Sequence, residues 1–176
     1  MSLRIRIAIT ALFCILFFSN ISLAQQIQEE FLIDIKLSEF KLTLIDKNSQ
    51  SSEFKIATPA VTPKSLPIEA IVLAVERDPY WHPTERTREA YLRQRNIELP
   101  ILLRPGDPRN AMGKGLIRLK YSRSGLIDGN VVIHGTNDEE SIGKKISRGC
   151  IRLYNKDIIT IIQTIQNKST RVIFQK

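Results

Sequence analysis

The chain has 176 residues, 43% hydrophobic and 25% charged, and carries 26 Lys and Arg against 18 Asp and Glu, a formal charge of +8. Positive charge suits anionic polymers, but no basic run interleaved with aromatic residues appears, which argues against a nucleic-acid partner. Two cysteines and two histidines exclude a disulfide-stapled scaffold and leave too few ligands for structural zinc.

In chain order, the first 24 residues read as an export signal. Arg4 and Arg6 precede the apolar run Ile7 to Phe18, and Ser22-Leu23-Ala24 ends in small residues suited to a cut before Gln25. A run of about a dozen residues is short of the ~20 that cross a bilayer as a helix. Phe13 before Cys14 departs from a lipoprotein site. The expectation is a soluble, exported, periplasmic protein without a stable membrane span. Cleavage leaves residues 25–176, with 24 basic against 18 acidic side chains and a charge of +6. That is enough for one domain with its own core. It also leaves Cys150 as the single thiol.

Residues 31–37 and 41–46 alternate apolar and polar side chains as half-buried strands do, and Asn48 to Ser52 supplies a turn before a strand over 53–57. Ile68 to Val75 is apolar and β-branched, suited to an interior strand. Asp78 to Pro83 reads as a loop, and Thr84 as the cap of a helix to about Asn96. Pro100, Pro105, Gly106 and Pro108 mark another loop before strands at 116–121 and 130–133, which residues 122–129 connect. Asn155 or Asp157 is expected to cap a helix through about Gln166, with Ile158, Ile159, Ile161, Ile162 and Ile165 on its apolar side. A strand over 170–174 closes the chain. The pattern predicts one α+β domain over 25–176, mainly β with helices, without repeat or linker.

Two short segments carry reactive side chains. Val131-Val-Ile-His134-Gly135-Thr136 ends a strand at an imidazole and a glycine. Ser147-Arg148-Gly149-Cys150 is a turn that leads into Ile151 and Leu153. A thiol attacks a carbonyl as thiolate, or when a neighbouring base takes its proton. His134 can be that base, and backbone N–H groups around Gly149 can receive an oxyanion. The bland alternative is a small buried hydrophobe. In an oxidising compartment an unpaired thiol argues for use.

The stretch HGTNDEESIGKKISRGCIRLYNKD, residues 134–157, resembles the signature of the L,D-transpeptidase catalytic domain, the YkuD domain, whose usual form is HGT, a spacer with I-G, then S-H-G-C-I-R-L and N or D. Residues 79–119 are similar to the P-x-W-x-P-T … LP … PG … N-P-L-G segment of periplasmic Gram-negative members, and Thr62-Pro63-Lys64 falls where T-P-x-G is usual. The resemblance implies an L,D-transpeptidase-like β-sandwich of mixed sheets with two flanking helices. It implies that Cys150 attacks a peptidoglycan stem tetrapeptide, releases D-alanine and forms a thioester. That thioester then passes to an amine, of a second stem or of a lipoprotein lysine, or to water. His134 is the implied base; Gly149, Arg148, Ser147, Gly135 and Arg152 are the implied oxyanion and substrate contacts. No metal or cofactor is implied.

The sequence departs from that pattern at Arg148, where histidine is usual, at Ala111-Met112, where P-L is usual, and at Ser65, where T-P-x-G has its glycine. Arg148 adds a charge that can lower the thiol pKa or hold a carboxylate. Trp81 and His82 read as a packing anchor or a cleft wall, and Arg152 as a carboxylate clamp or a structural ion pair. Asn155 reads as a helix cap, and Lys144-Lys145 as solvated surface. Besides a transpeptidase, the sequence allows a hydrolase of wall–protein links and an inactive wall-binding module.

Overall fold

The computed structural model describes residues 29–122 and 131–176. The expected export signal, and most of the expected connection over 122–129, lie outside the described residues. Nine strands run as β1 (Phe31–Lys36), β2 (Lys41–Asp46), β3 (Ser51–Pro59), β4 (Ile68–Arg77), β5 (Gly115–Tyr121), β6 (Val132–His134), β7 (Lys145–Ser147), β8 (Ile151–Leu153) and β9 (Thr170–Gln175). Two helices accompany them, α1 (Glu85–Arg95) between β4 and β5 and α2 (Asn155–Ile165) between β8 and β9. Among the described residues no helix is long and apolar enough to cross a membrane.

The first hairpin follows from its alternation. Ile33 and Ile35 of β1 and Leu42 and Leu44 of β2 turn inward, while Asp46 closes the turn to β3 by accepting the N–H groups of Asn48 and Gln50 at 2.8 and 2.9 Å. The strands are ordered β2-β1-β9-β4-β5-β6-β8-β3-β7, and β2 also pairs with β3, so they form a closed circuit. It is a mixed sheet. The pairs β1–β9, β6–β8 and β3–β7 are parallel and the rest antiparallel. Closure depends on β3, which gives residues 51–55 to β2, Ile56 and Ala57 to β8, and Thr58 and Pro59 to β7. The molecule is thus mainly β with two helices, as expected.

The helix α2 covers the core. Ile158, Ile161, Ile162 and Ile165 recur at helical spacing and are all buried, whereas Ile159 is half-buried. They pack with Ile33, Ile35, Ile117, Ile133 and Ile151 in one apolar cluster. Ile161→Ala should therefore cost about 2–5 kcal/mol. The expected result is a large fall in the urea midpoint with an unchanged slope; a shift under 1 kcal/mol would refute the assigned core position.

The other helix, α1, buries little besides Ala90. Thr84 caps it by accepting from the Thr87 N–H at 3.2 Å, and Asn96 ends it in the left-handed conformation at φ 52°. The irregular segment around α1 is stitched by buried Asn110. Its amide donates to the Pro79 and Arg104 carbonyls at 2.9 and 3.2 Å and accepts from the Met112 N–H at 2.9 Å.

Two expectations need correction. The strand expected at 130–133 lies at 132–134. The residue before α2 is Tyr154, which makes no side-chain cap bond; Asn155 is the first helical residue, and its side chain turns elsewhere. The three-residue strands β7 and β8 were not foreseen.

Candidate active site

The register between β6 and β8 builds the site. Ile133 pairs with Ile151 and His134 with Arg152, in parallel. Both isoleucines are fully buried. Side chains alternate along a strand, so His134, Cys150 and Arg152 emerge together on the opposite face. There they meet Trp81, Tyr91 and Met112 around a cleft of about 340 Å³. The two catalytic candidates read from the sequence thus share one wall, although 16 positions separate them.

His134 is only 3% exposed. Its Nδ1 lies 2.5 Å from the carbonyl oxygen of Gly135. A carbonyl only accepts, so Nδ1 carries the proton and Nε2 is left basic. Burial, and next the Arg152 charge, push the imidazole pKa down to about 4, against the opposing pull of the Gly135 and Ala111 carbonyls. The Cys150 thiol is half-buried, and burial pushes its pKa up, offset by the Val132 N–H and by Arg152. At neutral pH the pair therefore rests uncharged, as thiol and imidazole.

The turn before Cys150 is shaped by glycine and buckled by serine. Gly149 has φ +146°, a conformation that side-chain-bearing residues rarely adopt, although space for a Cβ exists. Buried Ser147 donates its hydroxyl to the Cys150 carbonyl at 2.5 Å and accepts from the Gly149 N–H at 3.2 Å. The Cys150 N–H has no hydrogen-bond acceptor among the described residues. Gly135 is needed for a different reason, because a Cβ there would lie 2.4 Å from Asn155 Oδ1.

Among the described residues, charge in the cleft is of one sign: Arg86, Arg148 and Arg152 line it, and no Asp or Glu does. Half-buried Arg152 makes no ion pair among the described residues. Arg148 is exposed at the lip, where its guanidinium reaches Thr87 Oγ1 at 3.4 Å. Together with Gly149 it also borders a second cleft of about 390 Å³ that holds Thr62, Pro63 and Lys64. Trp81 serves both of its expected roles, pairing with Leu103 through the backbone, packing edge-on to Tyr91, and lining the cleft. His82, Lys144 and Lys145 are exposed and line neither cleft.

Sequence reasoning missed Tyr121. Its hydroxyl donates to the Val131 carbonyl at 3.0 Å, and burial and then the nearby Cys150 raise its pKa. The inward alternation of β5 was the available signal. It also missed the bonds of Asn155 to Thr136 and Lys114, which no spacing reveals.

Comparison with known proteins shows the family and the fold. The family model of the YkuD L,D-transpeptidase catalytic domain matches residues 30–174. The chain is 40% identical over 83 residues to YqjB of Bacillus subtilis, whose name places it among the L,D-transpeptidases; the match covers 47% of this chain and 42% of YqjB. L,D-transpeptidase 3 from Mycobacterium tuberculosis, solved with a faropenem-derived adduct, superposes with a TM-score of 0.56 at 13% identity, over 84% of this chain and 60% of that one. The helical cell shape determining protein Pgp2 from Campylobacter jejuni gives a TM-score of 0.55 at 16% identity, over 85% and 49%. At those identities the two structures show a shared fold. The matched part is less than two thirds of each of these relatives. With the family model spanning both the sheet circuit and the Cys150 turn, the chain belongs to the L,D-transpeptidase catalytic domain family.

Proposed function

We propose that the chain is an exported L,D-transpeptidase that acts on peptidoglycan stem peptides in the periplasm, with Cys150 as nucleophile and His134 as base. The observation that carries the reading is the β6–β8 register, which turns thiol and imidazole into one cleft whose described charged lining is all arginine. The sulfur attacks the carbonyl that precedes the terminal D-alanine, and its proton passes to His134. As the carbon–nitrogen bond breaks, that proton goes to the leaving amine and a thioester remains. An acceptor amine then attacks, a new amide forms, the carbon–sulfur bond breaks, and the amine proton returns through His134 to the thiolate.

The Cys150 N–H is the backbone donor for the oxyanion, a contribution on the order of 3–4 kcal/mol for one well-placed donor. Gly149 and Ser147 hold the turn that aims it. Arg152 and Arg148 bind the carboxylates of the stem peptide, Arg152 as a bidentate fork within the cleft. The acceptor is the side-chain amine of a second stem, giving a 3→3 crosslink, or a lipoprotein lysine.

Incubation of residues 25–176 with a disaccharide-tetrapeptide tests this, with and without a second stem as amine, by mass spectrometry. The expected products are free D-alanine and a crosslinked dimer. D-alanine without a dimer would make the protein a hydrolase, and no product would leave a wall-binding module.

A further inference from the structure

Asn155 opens α2 without capping it. Its Oδ1 accepts the Lys114 N–H at 2.8 Å and the Thr136 N–H at 3.3 Å, and its Nδ2 donates to the Thr136 carbonyl at 2.8 Å. The fourth contact is Glu139, whose Oε1 lies 3.4 Å from Nδ2. Backbone crowds this amide closely. A Cβ on Gly113 or Gly135 would come within 2.2 or 2.4 Å of Oδ1, so the two glycines clear the space it occupies.

The Thr136 N–H and the Gly135 C=O belong to one planar peptide unit. Asn155 grips the N–H end, and the C=O end is the acceptor for His134 Nδ1. Taking a bond at the N–H makes the carbonyl a better acceptor and stops the plane from rotating. The Lys114 contact also ties down the segment that brings Met112 to the cleft wall.

We infer that Asn155 is a positioning residue for His134. Acting through the 135–136 peptide, it holds the imidazole in the tautomer with Nδ1 protonated and Nε2 free to take the Cys150 proton. This rests on the reading of His134 as the base. Asn155 touches neither substrate nor the reacting atoms, and its effect belongs to kcat rather than to binding.

The test compares Asn155→Ala, Asn155→Asp and His134→Ala in transpeptidation, together with nitrogen-15 NMR of the histidine rings. The chain has only two histidines, so the His134 signals are identified by their loss in His134→Ala. Asn155→Ala should lower kcat roughly 10–100-fold, the range seen when a metal-bound histidine loses its orienting hydrogen-bond partner. KM should stay within about threefold, and the ring should change from one tautomer to a mixture. Asn155→Asp keeps the acceptor oxygen but loses the donor to the Thr136 carbonyl and faces Glu139, so it should recover only part of kcat while the ring signals return toward the single tautomer. That variant is also the fallback if the alanine chain does not fold.

A kcat within twofold of wild type in Asn155→Ala would overturn the inference. So would a loss of kcat with unchanged ring signals, or an Asp variant whose ring is as mixed as that of Ala. Full turnover in His134→Ala is a separate outcome that removes the base reading itself.

Discussion

Cys150→Ala is expected to lose turnover by on the order of 10⁴-fold or more, as removal of a covalent nucleophile does. The same substitution should abolish the mass increase that faropenem or a carbapenem produces on the wild-type chain. Faropenem is the natural probe because a structurally similar transpeptidase was solved carrying its adduct. Cys150 is the only free cysteine among the described residues, so the adduct has one destination. The resting thiol is protonated, because burial pushes its pKa up. Simple alkylation by iodoacetamide should therefore be slow at pH 7, while a reagent that uses the site's base should react fast. No adduct on the wild-type chain, or one that survives Cys150→Ala, would remove the nucleophile.

His134→Ala should lower kcat by about 10²–10⁴-fold, the usual worth of a general base. Its pH signature is sharper than its size. The neutral ring is the active form, and its pKa is pushed down to about 4, so the acid limb of kcat/KM should fall near pH 4 rather than near 6.5. Stability carries the same sign. Between pH 6.5 and 4 the unfolded chain binds this proton and the native one does not, so folding is weakened as pH falls through that window. The loss approaches about 3 kcal/mol at the acid end. Urea midpoints at pH 7, 5.5 and 4.5 should decline in the wild type and decline less in His134→Ala. Parallel declines would show that the buried ring is not the group responsible.

Much of this was legible in the sequence where a pattern is local. The β1–β2 hairpin, β4 and β9 announce themselves by alternation or by β-branched runs, and α2 by its isoleucines at helical spacing. What escaped was decided across the chain. The strands β7 and β8 have three residues each, too few for any period, and exist because β3 and β6 offer them edges. Asn155 looks like a cap because polar residues open helices, yet its partner Lys114 lies 41 positions away.

Cys150 and His134 were legible together only because a family signature joins them. Arg148 stood out as a departure, since histidine is usual there. It sits at the exposed lip between two clefts, where its guanidinium reaches Thr87, while the His134 Nδ1 bond runs to the Gly135 carbonyl and does not involve it. The cationic cleft was foreseen at Arg148 and Arg152 but not at Arg86, which α1 contributes.

The strand β3 closes the circuit of strands and also carries the turn that presents the thiol. The Thr58 and Ala60 N–H groups donate to the Lys144 and Ser147 carbonyls at 3.1 and 2.8 Å, on the same strand whose first half is locked to β2. The segment before Cys150 is therefore tied through Ser147 to the ladder that holds the core, and loosening it strains that ladder. A destabilising change on the far side of the molecule is then felt as fewer active molecules, each working at its normal rate.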